Sequence, residues 1–414
     1  MSTRAASTPA SFTPLLPVER ERGPLLERAA ALVLAAEQLA VAGPVLPIAL
    51  GPHLRAMNSY YTNKIEGQHT RPAELERALR QVFDADAQKA KKQRLALAHI
   101  DAERALELSL PPSVSALYTP EYVCSLHAAI YERLSPEDRV TDDGEVVAPG
   151  ILRSTDVAVG RHLPPRHDNV MPLLAAWQHA YAELPGRDLA LVGAVCAHHR
   201  LSWVHPFVDG NGRTARLHTH LALQRLGVRH ALWSPLRGMA RAREEYYARL
   251  NNADLPRRNA LDGRGALSQE GLVAFAAWLL DLCLDQVMFM RSLLELRRFR
   301  AGLRELLSWL AANPWRVGVE DSVVKLEALE AVDYVAVRGP IERARFLAMT
   351  GLSARTARRV LASLLDFGLL TSAGPKSPVA LAVPYASLRF LFPKLWPEAE
   401  ADFAGPPHGR VIAE

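Results

Sequence analysis

The sequence predicts a mostly α-helical protein, on three observations. Apolar residues recur at helical spacing through long stretches such as 25–39 and 271–303. Residues 187–204, RDLALVGAVCAHHRLSWV, are apolar nearly all round, as a fully buried helix is. Strand-like sequence is confined to short pieces, Asp156 to Gly160 and the return over 371–383. At 414 residues, 49% of them hydrophobic and 22% charged, the chain has the composition and length of two or three globular domains.

In chain order, residues 1–20 are Ser/Thr/Pro-rich and read as a flexible arm without the apolar core of a signal peptide. A helix over Leu25–Leu39 leads into a Pro/Gly-punctuated link, VAGPVLPIALGP (41–52). Thr62 to Gly67 then reads as a short helical turn closed by Gly67 as its C′ residue. Thr62 and Glu66 share a helix face; by its type alone Glu66 reads as a solvated surface charge. Helical segments continue at 73–85 and 121–134, and the lysine cluster AQKAKKQR (87–94) reads as a solvated helix face. Asp156-Val157-Ala158-Val159-Gly160 reads as one strand of a short hairpin, ended by Pro164-Pro165. Two helical stretches, 171–184 and 187–204, deliver the chain to His205. Farther on, Tyr246 and Tyr247 straddle a helix, one in the core and one outside. No apolar run reaches the ~20 residues of a bilayer span. Three widely spaced cysteines, Cys124, Cys196 and Cys283, lack metal-binding spacing and fit a reducing cytosol, so a cytoplasmic protein with no membrane partner is expected. A net charge of +5 permits a nucleic-acid partner without establishing one.

The densest chemistry lies in His205 to Arg216, HPFVDGNGRTAR, where a loop becomes a helix that runs to Gly227. Gly210 and Gly212 tolerate positive φ, and Asn211 is the next most tolerant type. Successive N–H groups here can curl around an anion, and the first helical N–H groups point the same way. Phosphate is the natural guest. Arg213 and Arg216, three apart, can both reach it. Asp209 suits Mg²⁺ bridging phosphate oxygens. His205 suits a general base, its ordinary pKa of roughly 6.5 being near working pH. Together these residues form a set for transferring a phosphate-containing group, although a Gly-Asn-Gly alone is usually a turn. Pro206 and Phe207 fix the loop, with Phe207 packed inward. His198, His199, His218 and His220 have the wrong spacing for a zinc site among themselves.

The window is similar to the signature of the Fic (filamentation induced by cAMP) family, HPFx[D/E]GNGRxxR, at every fixed position. Thr62 to Gly67 resembles the family's inhibitory pattern, [S/T]xxxE[G/N], in the class that carries it upstream of the core. The resemblance implies a helical Fic core with a β-hairpin flap and transfer of AMP from ATP to a Ser, Thr or Tyr hydroxyl of a target protein or of the chain itself. It implies His205 as base, Asp209 on Mg²⁺, and Gly210, Asn211 and Gly212 around phosphate. Arg213 falls on the β-phosphate and Arg216 on the γ-phosphate. Glu66 would pair with Arg216 and exclude productive ATP; in some relatives the same glutamate supports removal of AMP. Val157, Ala158, Val159 and Gly160 fall where the flap docks the target segment, against the plainer reading of a surface hairpin. Tyr247 falls in the adenine pocket, and Asp254 stands where some relatives have asparagine.

Near the end, 341–370 reads as helix, turn and helix, with Gly351 and Ser353 at the turn, before a Gly/Pro tip and a β-rich return. That order resembles a winged helix-turn-helix, with Arg355, Arg358 and Arg359 on the second helix and Lys376 on the wing, placed for DNA or for protein contacts. The expected layout is an arm (1–20), a helical region (21–110) with the inhibitory helix at about 58–67, a Fic core (111–300) and a winged helix (301–414). A homodimer is compatible with this layout. Two rivals stand beside the AMP reading. One is the same core with another phosphate-containing donor; phosphate-transferring relatives lack the second glycine, which is present here as Gly212. The other is a DNA-binding regulator whose core senses nucleotide.

Overall fold

The computed structural model describes residues 9–40, 45–141, 143–158, 162–228, 232–314 and 322–403. They are mostly helical: α1 (Glu19–Ala40), α2 (Val45–Ile65), α3 (Pro72–Leu79), α4 (Ala87–Leu108), α5 (Pro120–Tyr131), α6 (Val170–Tyr181), α7 (Arg187–Val204), α8 (Asn211–Arg225), α9 (Pro235–Arg241), α10 (Arg243–Asp254), α11 (Gln269–Leu293), α12 (Leu296–Ala312), α13 (Leu329–Arg338), α14 (Arg343–Met349), α15 (Ala354–Phe367), α16 (Leu388–Leu391) and α17 (Pro397–Asp402). A two-stranded antiparallel sheet pairs β1 (Leu370–Thr371) with β2 (Ala380–Leu381). The chain divides into two compact units: Met1–Gln38, Arg55–Thr70 and Arg77–Val287 form one, and Leu39–Leu54, Arg71–Glu76 and Met288–Glu414 the other. The division falls within α11, ahead of the boundary at 300 expected from sequence.

The first unit is organised around α7, which is buried along almost its whole length and packs against α6 and α8. A second layer joins α4, α5 and α8 through Leu95, Ala98, Leu126, Ile130, Leu217 and Leu221. Local chemistry sets the ends of these helices. Asp86 caps α4 by accepting from the N–H groups of Gln88 and Lys89, and Thr119 caps α5 ahead of Pro120.

Four expectations are corrected here. The arm is anchored over its described part: Phe12 is fully buried and stacks on Trp203 at 5.1 Å, while Arg200 donates to the Pro14 carbonyl at 2.7 and 3.0 Å. The Pro/Gly link is helical from Val45 on, so α2 is far longer than the turn predicted at 62–67. Its apolar positions Leu46, Leu50, Leu54, Met57, Tyr61 and Ile65 are all buried at three-to-four-residue spacing, and their burial outweighs the hydrogen bond lost at Pro52. Asp156 to Ala158 lie in no strand, and Val159 and Gly160 lie outside the described residues; the pairing nearby is a bridge between Val140 and Val146. Finally, α11 is long and apolar enough to cross a membrane by length and composition. In this unit its Leu272, Phe275, Leu279, Cys283 and Val287 are core residues.

In the second unit α14 ends before Gly351 (φ 65°), and Ser353 caps α15 by accepting from the Thr356 N–H. Ala357, Val360, Leu361 and Leu364 of α15 are buried, leaving Arg355, Arg358 and Arg359 exposed. Ile341 bridges Val379 beside the β1–β2 pair, and Lys376 sits in the turn that joins the two strands.

Replacing Phe12 with alanine is expected to destabilise the first unit by about 3 kcal/mol, the usual cost of a fully buried phenylalanine. Urea unfolding of the variant against the native chain checks this; an unchanged midpoint would return residues 9–18 to the status of a loose arm.

Candidate active site

Helix α7 ends because His205 turns into the left-handed region (φ 51°, ψ 62°) and Pro206 cannot continue a helix. A non-glycine residue held there stores of order 1–3 kcal/mol, so the surroundings must enforce it. They do so from three sides. Arg153, itself buried, donates from Nε to the His205 carbonyl (2.8 Å) and from its backbone N–H to the Pro206 carbonyl (2.9 Å). Asn211 accepts from the Phe207 N–H and donates to the Phe207 carbonyl, both at 2.8 Å. Phe207 is fully buried and stacks on His127 at 3.9 Å, and His127 stacks on Tyr131 at 4.4 Å. His127 accepts from the Gly150 N–H at Nδ1, so Nε2 carries the proton it donates to the Asp209 carbonyl (3.1 Å).

The loop closes at Gly210 (φ 80°), where a Cβ would lie 2.6 Å from the Tyr131 ring. Helix α8 starts at Asn211, and the Thr214 N–H is the first to bond back, to the Gly210 carbonyl. The N–H groups of Asn211, Gly212 and Arg213 therefore form the unpaired positive end of the helix. The Asn211 side chain is committed to Phe207, so only its backbone N–H is left for the phosphate role expected of it. Arg213, 2% exposed, donates to Asp209 Oδ2 (2.8 Å), Tyr131 Oη (2.8 Å) and Gln68 Oε1 (2.9 Å). Tyr131 also donates to Asp209 Oδ2 (2.8 Å). Burial pushes the Asp209 pKa up, but the Arg213 charge and the Tyr131 hydroxyl outweigh it and hold the carboxyl below its ordinary value. The Asp209 side chain is 40% exposed, an ionised carboxylate at the mouth of a cleft.

The structure brings Glu66 and Thr62 to the same place. Arg216, 1% exposed, donates to Thr62 Oγ1 (2.8 Å), to the Thr62 carbonyl (3.3 Å) and to Glu66 Oε1 (2.5 Å). Glu66 is thus no solvated charge: its side chain is 30% exposed, and although burial raises its pKa, the charges of Arg216 and Arg213 lower it further. Its Oε1 also lies 2.2 Å from where a Cβ on Gly212 would be, so a side chain at 212 would push this carboxylate from its place. Gly67 (φ 72°) ends α2 as predicted: its N–H bonds the Lys64 carbonyl and the Gln68 N–H bonds the Asn63 carbonyl. The Ile65 carbonyl accepts from Arg243 Nε (2.9 Å) and Tyr247 Oη (3.2 Å), which fastens this end of α2 to α10.

Two cavities meet at Glu66. One, of about 450 Å³, is lined by His205, Arg216, Trp203, Tyr247, Leu250 and Asp254. Tyr246 is buried beneath it with its hydroxyl 2.7 Å from His198 Nε2, and Tyr247 is half-buried at the wall, the straddling expected of the pair. Asp254 faces His199 (3.1 Å) and His162 (3.3 Å). The other, of about 560 Å³, runs from Asp209 and Arg213 past Val157 and Ala158 to Lys91 and Lys92. Those two lysines are half-buried cleft residues rather than part of a solvated face. His198 bonds Thr219 Oγ1 (2.7 Å) and His218 the Leu117 carbonyl (2.9 Å), as core histidines do. Sequence reasoning missed Tyr131, His127, Arg153 and Gln68: single residues far from the loop in sequence, carrying no motif.

The Fic/DOC family model matches residues 117–223. The chain is 36% identical over 141 residues to "Protein adenylyltransferase fic-1" of Caenorhabditis elegans, covering 32% of this chain and 26% of that one. It is 32% identical over 126 residues to "Protein adenylyltransferase Fic" of Drosophila grimshawi, covering 30% and 25%. The matches thus span about a quarter of the length of these curated relatives. Among solved structures it is similar to a Fic family protein from Desulfovibrio desulfuricans G20, with a TM-score of 0.48, 17% identity, and coverage of 91% of this chain and 99% of that chain.

Burial sets the protonation of the site's imidazoles. It lowers His205 from 6.5 to about 4, helped by the charges of His162 and Arg153 and opposed by Glu66, so the ring is neutral near pH 7. Burial likewise takes His127 to about 4, His198 to about 3 and His218 to about 4. These folded-state values lie below the unfolded 6.5, so the unfolded chain binds more protons. The stability tied to neutral histidines is present above pH 6.5 and is lost as pH falls toward 4. Urea unfolding between pH 7.5 and 4.5 is expected to show stability falling from near pH 6.5, with uptake of more than one proton. A flat profile down to pH 5 would contradict buried neutral histidines.

Proposed function

We propose that this chain, whose residues 117–223 match the Fic/DOC family model, moves AMP from ATP to a Ser, Thr or Tyr hydroxyl of a target protein, itself included, and that Glu66 restrains the reaction. The supporting observation is the set of groups at the N-terminus of α8. A buried guanidinium, Arg216, is held by the Glu66 carboxylate, and the same cavity contains a neutral His205.

In the proposed step His205 takes the proton of the target hydroxyl, and the oxygen attacks the α-phosphorus. The bond to the bridging oxygen breaks, and pyrophosphate leaves with the growing negative charge. Arg213 and Arg216 stand where that charge develops, already desolvated and oriented by Tyr131, Gln68 and Thr62. The free N–H groups of Asn211, Gly212 and Arg213 cradle phosphate oxygens. Asp209, ionised and partly exposed, fits a hard divalent ion and is the residue that would hold Mg²⁺, which when bound supplies further positive charge to phosphate oxygens. Tyr247, at the wall of the His205 cavity, is assigned to the adenine, and Val157 and Ala158, at the mouth of the Asp209 cleft, to the target segment.

Glu66 competes with the terminal phosphate for Arg216. A charged hydrogen bond is worth about 1.5–3 kcal/mol, so its loss is expected to raise labelling by roughly 10- to 150-fold. Removal of AMP with help from Glu66 belongs to the same proposal. The test is incorporation from labelled ATP with Mg²⁺, with UTP and CDP-choline as competitors. The native chain should label weakly, Glu66→Gly strongly, and Glu66→Gly with His205→Ala not at all. Equal labelling by the last two would remove His205 from the mechanism, and displacement of the label by another donor would change the substrate.

The second unit supports a separate proposal, a winged helix that binds DNA. Arg355, Arg358 and Arg359 are exposed on α15, and Arg343 bonds the carbonyls of Gly374 (3.2 Å) and Ser377 (3.3 Å) on either side of Lys376. Such binding should weaken steeply with salt, and replacing Arg355 and Arg358 with alanine should lower the salt slope by about 2. Binding unchanged by both tests would leave this face to a protein partner.

A further inference from the structure

Outside the site described above, the first unit encloses a cluster of ligand-bearing side chains. His99, Glu103 and Glu107 follow one another on α4 at four-residue intervals and so lie on one stripe. His220, one turn beyond Arg216 on α8, sets its Nε2 3.4 Å from Glu103 Oε1 and 3.2 Å from Glu107 Oε1. The side chains of Glu103 and His220 are at most 1% exposed and that of Glu107 is 11% exposed. An imidazole Nε2 has one proton to give, and two carboxylate oxygens cannot both take it fully. A single divalent ion answers both: ligand atoms about 2.1 Å from a tetrahedral centre lie about 3.4 Å from one another, which matches the separations around His220.

His99 adds an independent observation. It is fully buried, neither ring nitrogen has a hydrogen-bond partner among the described residues, and its Nδ1 lies 3.9 Å from Glu103 Oε2. Buried ring nitrogens left without hydrogen bonds are costly, and a lone pair beside the Glu103 carboxylate is what a metal uses. The carboxylates are also held from behind, as ligating carboxylates are. Asn58 Nδ2 donates to Glu103 Oε1 (2.8 Å) and Arg55 donates to Glu107 Oε2 (3.2 Å).

We propose that Glu103, Glu107, His220 and His99 form a structural site for a Zn²⁺-class divalent transition metal, clamping α4 to α8 behind the two arginines. Two imidazoles with two carboxylates suit zinc over magnesium or calcium, which favour oxygen ligands and, for magnesium, retained water. Asn58 and Arg55 sit on α2, the helix that carries Thr62 and Glu66, so the clamp stiffens the support of that pair. The spacing of the histidines among themselves carries no sign of the carboxylates that α4 brings to His220.

The test uses the full chain carrying Asp209→Asn, so that an ion at the loop is not counted. After exhaustive dialysis against metal-free buffer, elemental analysis is expected to find about one zinc per chain, the retention expected of a closed structural site. A strong chelator should lower the Tm and added Zn²⁺ should restore it. Co²⁺ in place of zinc should give the intense visible bands of a tetrahedral centre. Glu107→Gln and His220→Asn should each abolish the bands and the Tm response to chelator. If those variants do not fold, the metal content, cobalt spectrum and chelator response of the parent chain decide alone. Sub-stoichiometric metal after loading with ZnCl₂, together with a Tm indifferent to chelator, overturns the proposal and leaves a hydrogen-bonded cluster.

Discussion

Two guanidinium groups are buried at the positive end of a helix, and much of the first unit is arranged to make that tolerable. Arg213 and Arg216 are 2% and 1% exposed, in the first two turns of α8, where the unpaired N–H groups already repel a cation. A buried charge without partners would cost several kcal/mol. Asp209, Tyr131 and Gln68 answer Arg213; Thr62 and Glu66 answer Arg216. These partners come from α2, its C-terminal turn, α5 and the loop, so the placement of α8 requires the other helices to be where they are.

An arrangement that pairs the arginines in this way also has a consequence for ligand binding. In the proposed mechanism an incoming polyanion meets cations that are desolvated, oriented and already paired. For Arg213 the partners are mostly neutral or belong to the loop itself, and they remain compatible with a phosphate alongside. For Arg216 the partner is a carboxylate from another helix, sharing the space over Gly212. In the proposed mechanism binding of the terminal phosphate therefore requires the end of α2 to give way. That end is fastened at the Ile65 carbonyl by Arg243 and Tyr247 as well as by Glu66, so restraint is spread over more than one bond.

The loop itself is held by contacts rather than by its glycines. Positive φ at Gly210 permits the turn, but His205 adopts positive φ without being glycine, and it does so because Arg153, Asn211 and the stack of Phe207 on His127 leave no alternative. The same burial keeps the imidazole neutral. Rigidity and neutrality at His205 thus share one physical cause, removal from water.

The sequence by itself determined what is local and periodic. The helices with strong apolar repeats, the glycine that ends α2, the shared face of Thr62 and Glu66, and the loop-to-helix junction at 205–216 were all legible, because each is fixed by neighbours within a few residues. The motif made legible which residues meet Arg216, although spacing alone would have left Glu66 in solvent. Only the tertiary structure decided the rest. Burial carried α2 through Pro52, anchored residues 9–18 against Trp203 and Arg200, drew Lys91 and Lys92 into a cleft, and left Asp156 to Ala158 without a ladder. It also placed Tyr131 on Asp209 and the Glu107 carboxylate on His220, partners 78 and 113 residues apart. Contacts at such separations depend on how helices pack, and the apolar pattern of one helix does not say which polar residue of another will face it.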